Sequence, residues 1–284
     1  MKRRDFPSAW VCLGLILFFF APISACRTLG RPIAGGASVD QKPVQSPVKQ
    51  ESLEWNDAIL RALERMPEGG GYSVKSVAKD ALRSAVAWEN GKPAIVPASA
   101  QPSFCSGATY LAFVIALAME QRSGHLALAP EAWKKLIVEN QADGHGVWGR
   151  WNANGPGTAR LFHELGIGRN FTDWKEARAG DFLKVFWNDS IGSSEKGHSV
   201  VFLERAEVNG VDTVTFWSSN QPGGYGVKQV PFQNVKRAVF SRLERPERLS
   251  GVVSLPEKDE FLASLLTRSV TPQEAAKACG LRSF

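Results

Sequence analysis

The pair Asn209-Gly210, set between two apolar, β-branched runs at 200–207 and 211–217, constrains this chain more tightly than anything else in it. A two-residue hairpin turn of the primed type needs positive φ at its central residues. Asn-Gly accepts that, and the twist of such a turn matches the strands it joins. The pair therefore predicts an antiparallel hairpin in which residue 208 faces 211. Carried outward in strict register, His198 faces Gln221 with Ser219 on the same side, and Asn220 points to the other face unless a bulge intervenes. Further strands are expected over 182–187, 227–232 and 235–243, where apolar residues run between turn signals.

The first half reads differently. Residues 53–63 place apolar side chains at helical spacing, with Gly69-Gly70-Gly71 as the stop, and 74–89 form a second amphipathic stretch closed by Asn90-Gly91. A Pro-containing loop over 93–102 leads into an apolar helical stretch at 109–118. Helices are also expected over 130–140, with Pro130 in its first turn, and over 158–165, where His163 is read as structural. Between these two, residues 143–157 read as a long glycine-laden loop. Its Trp148, Trp151 and Asn152 would offer flat apolar faces and an amide to a substrate groove. Beyond 243 the chain turns polar, with Pro246 and Pro256, then short helices near 261–266 and 271–280. Helices followed by antiparallel strands make an α+β chain. The expected segments are a helical layer over 51–94, a core over 95–245 and a helical extension over 246–284.

Cys105 stands where the Pro-containing loop meets the apolar helix. A thiol at a helix start feels unpaired backbone N–H groups and the positive end of the helix dipole. Both favour thiolate and lower the pKa. A nucleophile needs a base, and Gly197-His198-Ser199-Val200 brings an imidazole into an apolar strand downstream. The partner strand ends in Ser218-Ser219-Asn220-Gln221, a row of side chains able to orient a ring. Cys, His and a polar orienter in this order suit nucleophilic acyl transfer. The Cys105 backbone N–H, with Gln101 as a side-chain donor, would meet the oxyanion. Asp181 reads as the cap of its Gly-Asp turn.

The order Cys105-Ser106-Gly107, Gly180-Asp181, Gly197-His198 and Ser218-Ser219-Asn220 resembles that of papain-like cell-wall hydrolases, the NlpC-type peptidases and CHAP amidases, over residues 95–245. It departs from them in lacking a Tyr-Gly-Trp-Gly type segment before the cysteine. It also has Ser218 where CHAP domains often carry Glu, and a longer stretch between helix and first core strand. The resemblance implies a papain-like fold, with the cysteine helix packed on an antiparallel sheet and extra N-terminal helices. It also implies a thiol amidase acting on peptidoglycan stem peptides or wall amides, with Cys105, His198 and Asn220 as its triad and no cofactor. Strict hairpin geometry prefers Gln221 to Asn220. An inert wall-peptide-binding module, an acyltransferase or a protein-directed thiol protease would share the scaffold.

The chain's start locates it. Lys2, Arg3 and Arg4 precede a short apolar run at 11–20, and Ile23-Ser24-Ala25-Cys26 resembles a lipobox. The run is too short to span a bilayer. Residues 1–26 thus read as a lipoprotein signal peptide, with Cys26 lipidated and a membrane anchor in the mature protein. Arg27 after the cysteine, rather than Asp, resembles the rule for export to the outer membrane in a Gram-negative envelope. Residues 27–50, rich in Gly, Pro, Ser and Gln without apolar periodicity, read as a disordered tether. Removing Lys2, Arg3, Arg4 and Asp5 takes the formal charge from +6 to +4, suited to anionic surfaces. Scattered basic residues and export argue against nucleic acid. The four histidines are far apart, with no ligand pair for a metal. Of four cysteines, Cys12 leaves with the signal and Cys279 reads as a buried or free thiol. The chain is expected to act as a monomer.

Overall fold

The computed structural model describes residues 54–284. The expected signal peptide with its lipobox-like Cys26, the expected tether and the first residues of the expected helical layer lie outside the described residues. The chain is α+β, with several helices and a mostly antiparallel sheet.

Helix α1 (Trp55–Leu63) buries Ala58, Ile59 and Ala62 along one face. It ends before the glycine triplet. Gly69–Gly70 is instead a short strand, β1, with φ of +68° and +80°, a region that L side chains rarely adopt. Helix α2 (Ser76–Ala85) is also shorter than its amphipathic pattern. Its expected last turn is strand β2 (Val86–Glu89), which pairs with β3 (Lys92–Ile95) across Asn90-Gly91. Asn90 and Gly91 take positive φ. Instead of stopping a helix, the pair acts as a hairpin turn, as Asn209-Gly210 does.

Helix α3 (Cys105–Arg122) is the centre of the molecule, and every residue from Ser106 to Ala118 is buried. A helix apolar all round must be wrapped on all sides. Around it stand α1, α2 and α5 (Gly146–Asn152), with strands of the sheet on a further side. Helix α4 (Pro130–Leu136) is hydrogen-bonded to it through Tyr110 and Gln121, and α6 (Gly157–Leu165) packs on α5. Helix α5 corrects the expectation of a loop at 143–157. Its Trp148 and Trp151 pack against Tyr110 of α3, and Trp151 stacks on Phe113 with ring centroids 4.9 Å apart.

The strands that follow are β4 (Gly168–Phe171), β5 (Phe182–Phe186), β6 (Ile191–Gly192), β7 (Gly197–Val208), β8 (Val211–Asn220), β9 (Gly224–Pro231) and β10 (Arg237–Leu243). The main sheet has the order β1-β9-β8-β7-β5-β10-β4. Alternation along the strands divides its side chains. Phe182, Val201 and Trp217 join the core around α3, whereas Leu183, Val200, Phe202, Phe216 and Phe240 form a second cluster with Trp174. A 3₁₀ segment (Pro246–Ser254), α7 (Glu260–Ser264), β11 (Ser269–Val270) and α8 (Pro272–Ala278) complete the chain. They are tied back by Arg150, which donates to the Pro256 carbonyl at 2.8 Å, and by Arg160, which donates to Asp259 at 2.8 Å.

Asp181, fully buried, joins three parts of the fold. It takes two hydrogen bonds of 2.7 Å from the Arg242 guanidinium on β10, one of 2.9 Å from Asn56 on α1 and one of 2.8 Å from the Arg178 backbone. The preceding Gly180 has φ +92°, and a Cβ there would lie 2.6 Å from the Asn56 carbonyl oxygen. The Gly-Asp pair is therefore a packing device, and it sets where β5 starts.

Candidate active site

Cys105 is the first residue of α3, after an extended Phe104 that supplies no side-chain cap. The first-turn N–H groups thus have no capping side chain. The loop before the cysteine is fastened on two sides. Ser103 bridges Tyr72 in parallel, with Ser103 N donating to Gly71 O at 3.1 Å and Ser73 N to Ser103 O at 2.9 Å. Its hydroxyl bonds to that of Ser219 on β8 at 2.7 Å. Tyr72 N in turn donates to Pro222 O at 3.1 Å, just past the end of β8. The cysteine loop, the segment after β1 and the end of β8 are therefore fastened to one another.

His198 stands near the start of β7 and Asn220 at the end of β8. Near the turn the register is the one the hairpin dictates, Val208 facing Val211 and Glu204 facing Thr215. Leu203 is then left out of the pairing, and Phe202 faces Phe216. This one-residue bulge shifts everything beyond it by one position. His198 thus comes level with Asn220 rather than Gln221, and its Nε2 lies 3.1 Å from Asn220 Oδ1. Ser219 is buried against Ser103, and Gln221 is exposed.

Asn220 fixes the chemistry of the ring. Its Nδ2 donates to two carbonyls, Ser218 O at 3.2 Å and Gly226 O at 2.9 Å. Oδ1 is therefore the atom turned to His198. An oxygen there can only accept, so Nε2 must carry the proton. In the neutral ring this leaves the Nδ1 lone pair free for the thiol of Cys105.

The electrostatics agree with that assignment. Burial pushes the Cys105 thiol up, but the hydrogen bond from His198, the charge of His198, the Ser199 backbone and the charge of Lys184 outweigh it. The thiol is lowered from 9.0 to about 6. Tyr72 also reaches the sulfur: burial raises its hydroxyl, and the charge of Cys105 and a hydrogen bond with it raise it further, so it stays a protonated donor. Cys279 is a different kind of thiol. It is buried, free and far up, at about 12, because burial dominates there.

Trp148, Trp151 and Asn152, expected at the site, are engaged in packing instead. Trp148 and Trp151 are 5% and 1% exposed, and the Trp151 indole N–H donates to Thr109 at 3.1 Å. They are core, because the helical wrapping of α3 consumes their faces. Asn152 accepts from the Ser106 hydroxyl at 2.7 Å and donates to Asp143 at 2.8 Å, so its amide is occupied in holding the start of α3. Gln101 packs its side chain over Gly70, where a Cβ would stand 2.4 Å from its Cδ. A cavity of about 770 Å³ opens instead beside His198, Asn220 and Tyr72, with Trp187 and Phe216 among its walls. Tyr72 is the residue that sequence reasoning missed. Its signal was the glycine triplet, whose positive φ angles carry the chain along the sheet edge to the cysteine loop. Among the described residues no cluster of three or more His, Cys, Asp or Glu side chains could hold a metal.

No protein-family model matches this chain, and no curated protein or solved structure matches it significantly.

Proposed function

We propose that this chain is a papain-like thiol hydrolase of the cell envelope that cleaves amide bonds of peptidoglycan, anchored by lipid at Cys26. The observation that carries the chemistry is the double tether of the Asn220 amide, which turns the Nδ1 lone pair of His198 towards a thiol lowered to about 6. The wall substrate and the anchor rest on the motif resemblance and on the lipobox.

In the proposed reaction, His198 Nδ1 takes the Cys105 proton, or holds it already as an ion pair, and the thiolate attacks the amide carbon. The oxyanion is met by the N–H groups opening α3, with Gln101 and the Tyr72 hydroxyl as side-chain donors. The imidazolium returns its proton to the amide nitrogen as the C–N bond breaks, and the amine leaves. Water then gives a proton to His198, its oxygen attacks the thioester carbon, and the sulfur departs as thiolate. Carboxylic acid is the second product.

Purified sacculi incubated with wild type and with Cys105→Ala test the proposal. Wild type should release soluble fragments whose masses show a new carboxyl and a new amino end, and Cys105→Ala should release none. Sacculi that bind the protein but stay intact would indicate an inert binding module and refute the hydrolase. Fragments carrying a transferred acyl group would indicate an acyltransferase.

A further inference from the structure

The cavity beside His198 carries Lys196, Lys228 and Lys236 on its walls and neither aspartate nor glutamate. All three lysines are exposed, and among the described residues the lysines held in ion pairs are Lys184 and Lys258. Three ammonium groups around one concavity repel each other and concentrate an anion that enters it. The indole of Trp187 and the ring of Phe216 give the same cavity an apolar flank.

The geometry of the triad says which part of a substrate this cavity receives. The proton that frees the leaving amine comes from His198 Nδ1, so the amide nitrogen must lie on the histidine side. The acyl part then lies towards the start of α3. Resting on the hydrolase reading above, we infer that the cavity is the leaving-group subsite, and that it selects an amine fragment bearing one or more carboxylates.

Two measurements test this. The first compares alkylation of Cys105 by iodoacetate and iodoacetamide, which differ in charge and little in size. The iodoacetate-to-iodoacetamide rate ratio should exceed that of the urea-unfolded chain. It should fall about twofold to fivefold for each Lys→Gln change at 196, 228 and 236, and further in the triple variant. Every folded variant keeps His198 beside the sulfur, so the comparison among them isolates the lysines. The second uses sacculi: the triple variant should raise KM with kcat little changed, and the amine fragments released by wild type should carry free carboxylates.

A rate ratio that stays unchanged in the triple variant overturns the inference, as do neutral amine fragments or a KM that does not move. The hydrolase reading fails in a distinguishable way. A protein that discriminates between the reagents but leaves sacculi intact refutes cleavage, and the leaving-group assignment with it, while the anion-binding cavity stands.

Discussion

Replacing His198 with Ala removes the hydrogen bond and the charge that hold the Cys105 thiol at about 6. Burial is then opposed only by the Ser199 backbone and Lys184, so the thiol returns to around its ordinary 9.0. At pH 7 the wild-type sulfur is about nine-tenths thiolate and the variant's about one-hundredth. Rate does not follow fraction alone. Nucleophilicity rises with basicity at a Brønsted coefficient of about 0.4–0.5, so each variant thiolate attacks about twentyfold faster. At pH 7 the wild type therefore leads only about fivefold, whereas at pH 5 its lead widens to about fortyfold. The assay is iodoacetamide alkylation of the Cys105 peptide across pH, read by mass. Cys279, buried and held at about 12, does not compete. Wild type should show a midpoint near 6 and the variant one near 9. Coincident midpoints, or a wild-type curve that superimposes on the urea-unfolded chain, would refute the ion-pair argument.

Asn220→Ala should lower kcat about a hundredfold, within the range that a positioned base contributes, and leave the alkylation midpoint near the wild-type 6, because its role is orientation. A midpoint displaced as far as in His198→Ala would contradict that division of labour. Asp181→Ala should cost about 3–5 kcal/mol in urea unfolding, since it leaves the Arg242 guanidinium without its buried partner. A loss under about 1 kcal/mol would mean that the network is solvent-compensated.

The sequence made the hairpin, the cysteine helix and the order of the site residues legible, because each depends on local chemistry. Asn209-Gly210 needs only its own φ angles, and Cys105 at the head of an apolar run needs only the run. What was not legible depended on distant partners. Leu203 has no local mark of a bulge, yet its exclusion from pairing decides that Asn220 rather than Gln221 meets His198. Trp148 and Trp151 sit among glycines and read as loop. They are core because α3 is apolar on every face and needs aromatic cover there. Tyr72 lies more than thirty residues before the cysteine, and only the pairing of β1 with β9 and of Tyr72 with Ser103 brings it to the sulfur. Asn90-Gly91 shows the ambiguity of a strong local signal: the same pair serves as a helix stop or as a hairpin turn, and the residues beyond it decide.

In the proposed reaction, amide cleavage passes through a thioester on Cys105. The most direct measurement is the mass of the Cys105 peptide after acid quench of the protein mixed with sacculi fragments, before steady state. An acyl adduct that hydroxylamine removes should appear on that peptide, with none on the Cys279 peptide or in Cys105→Ala. Fragment release by wild type with no adduct at any quench time, and equal release by Cys105→Ala, would contradict it.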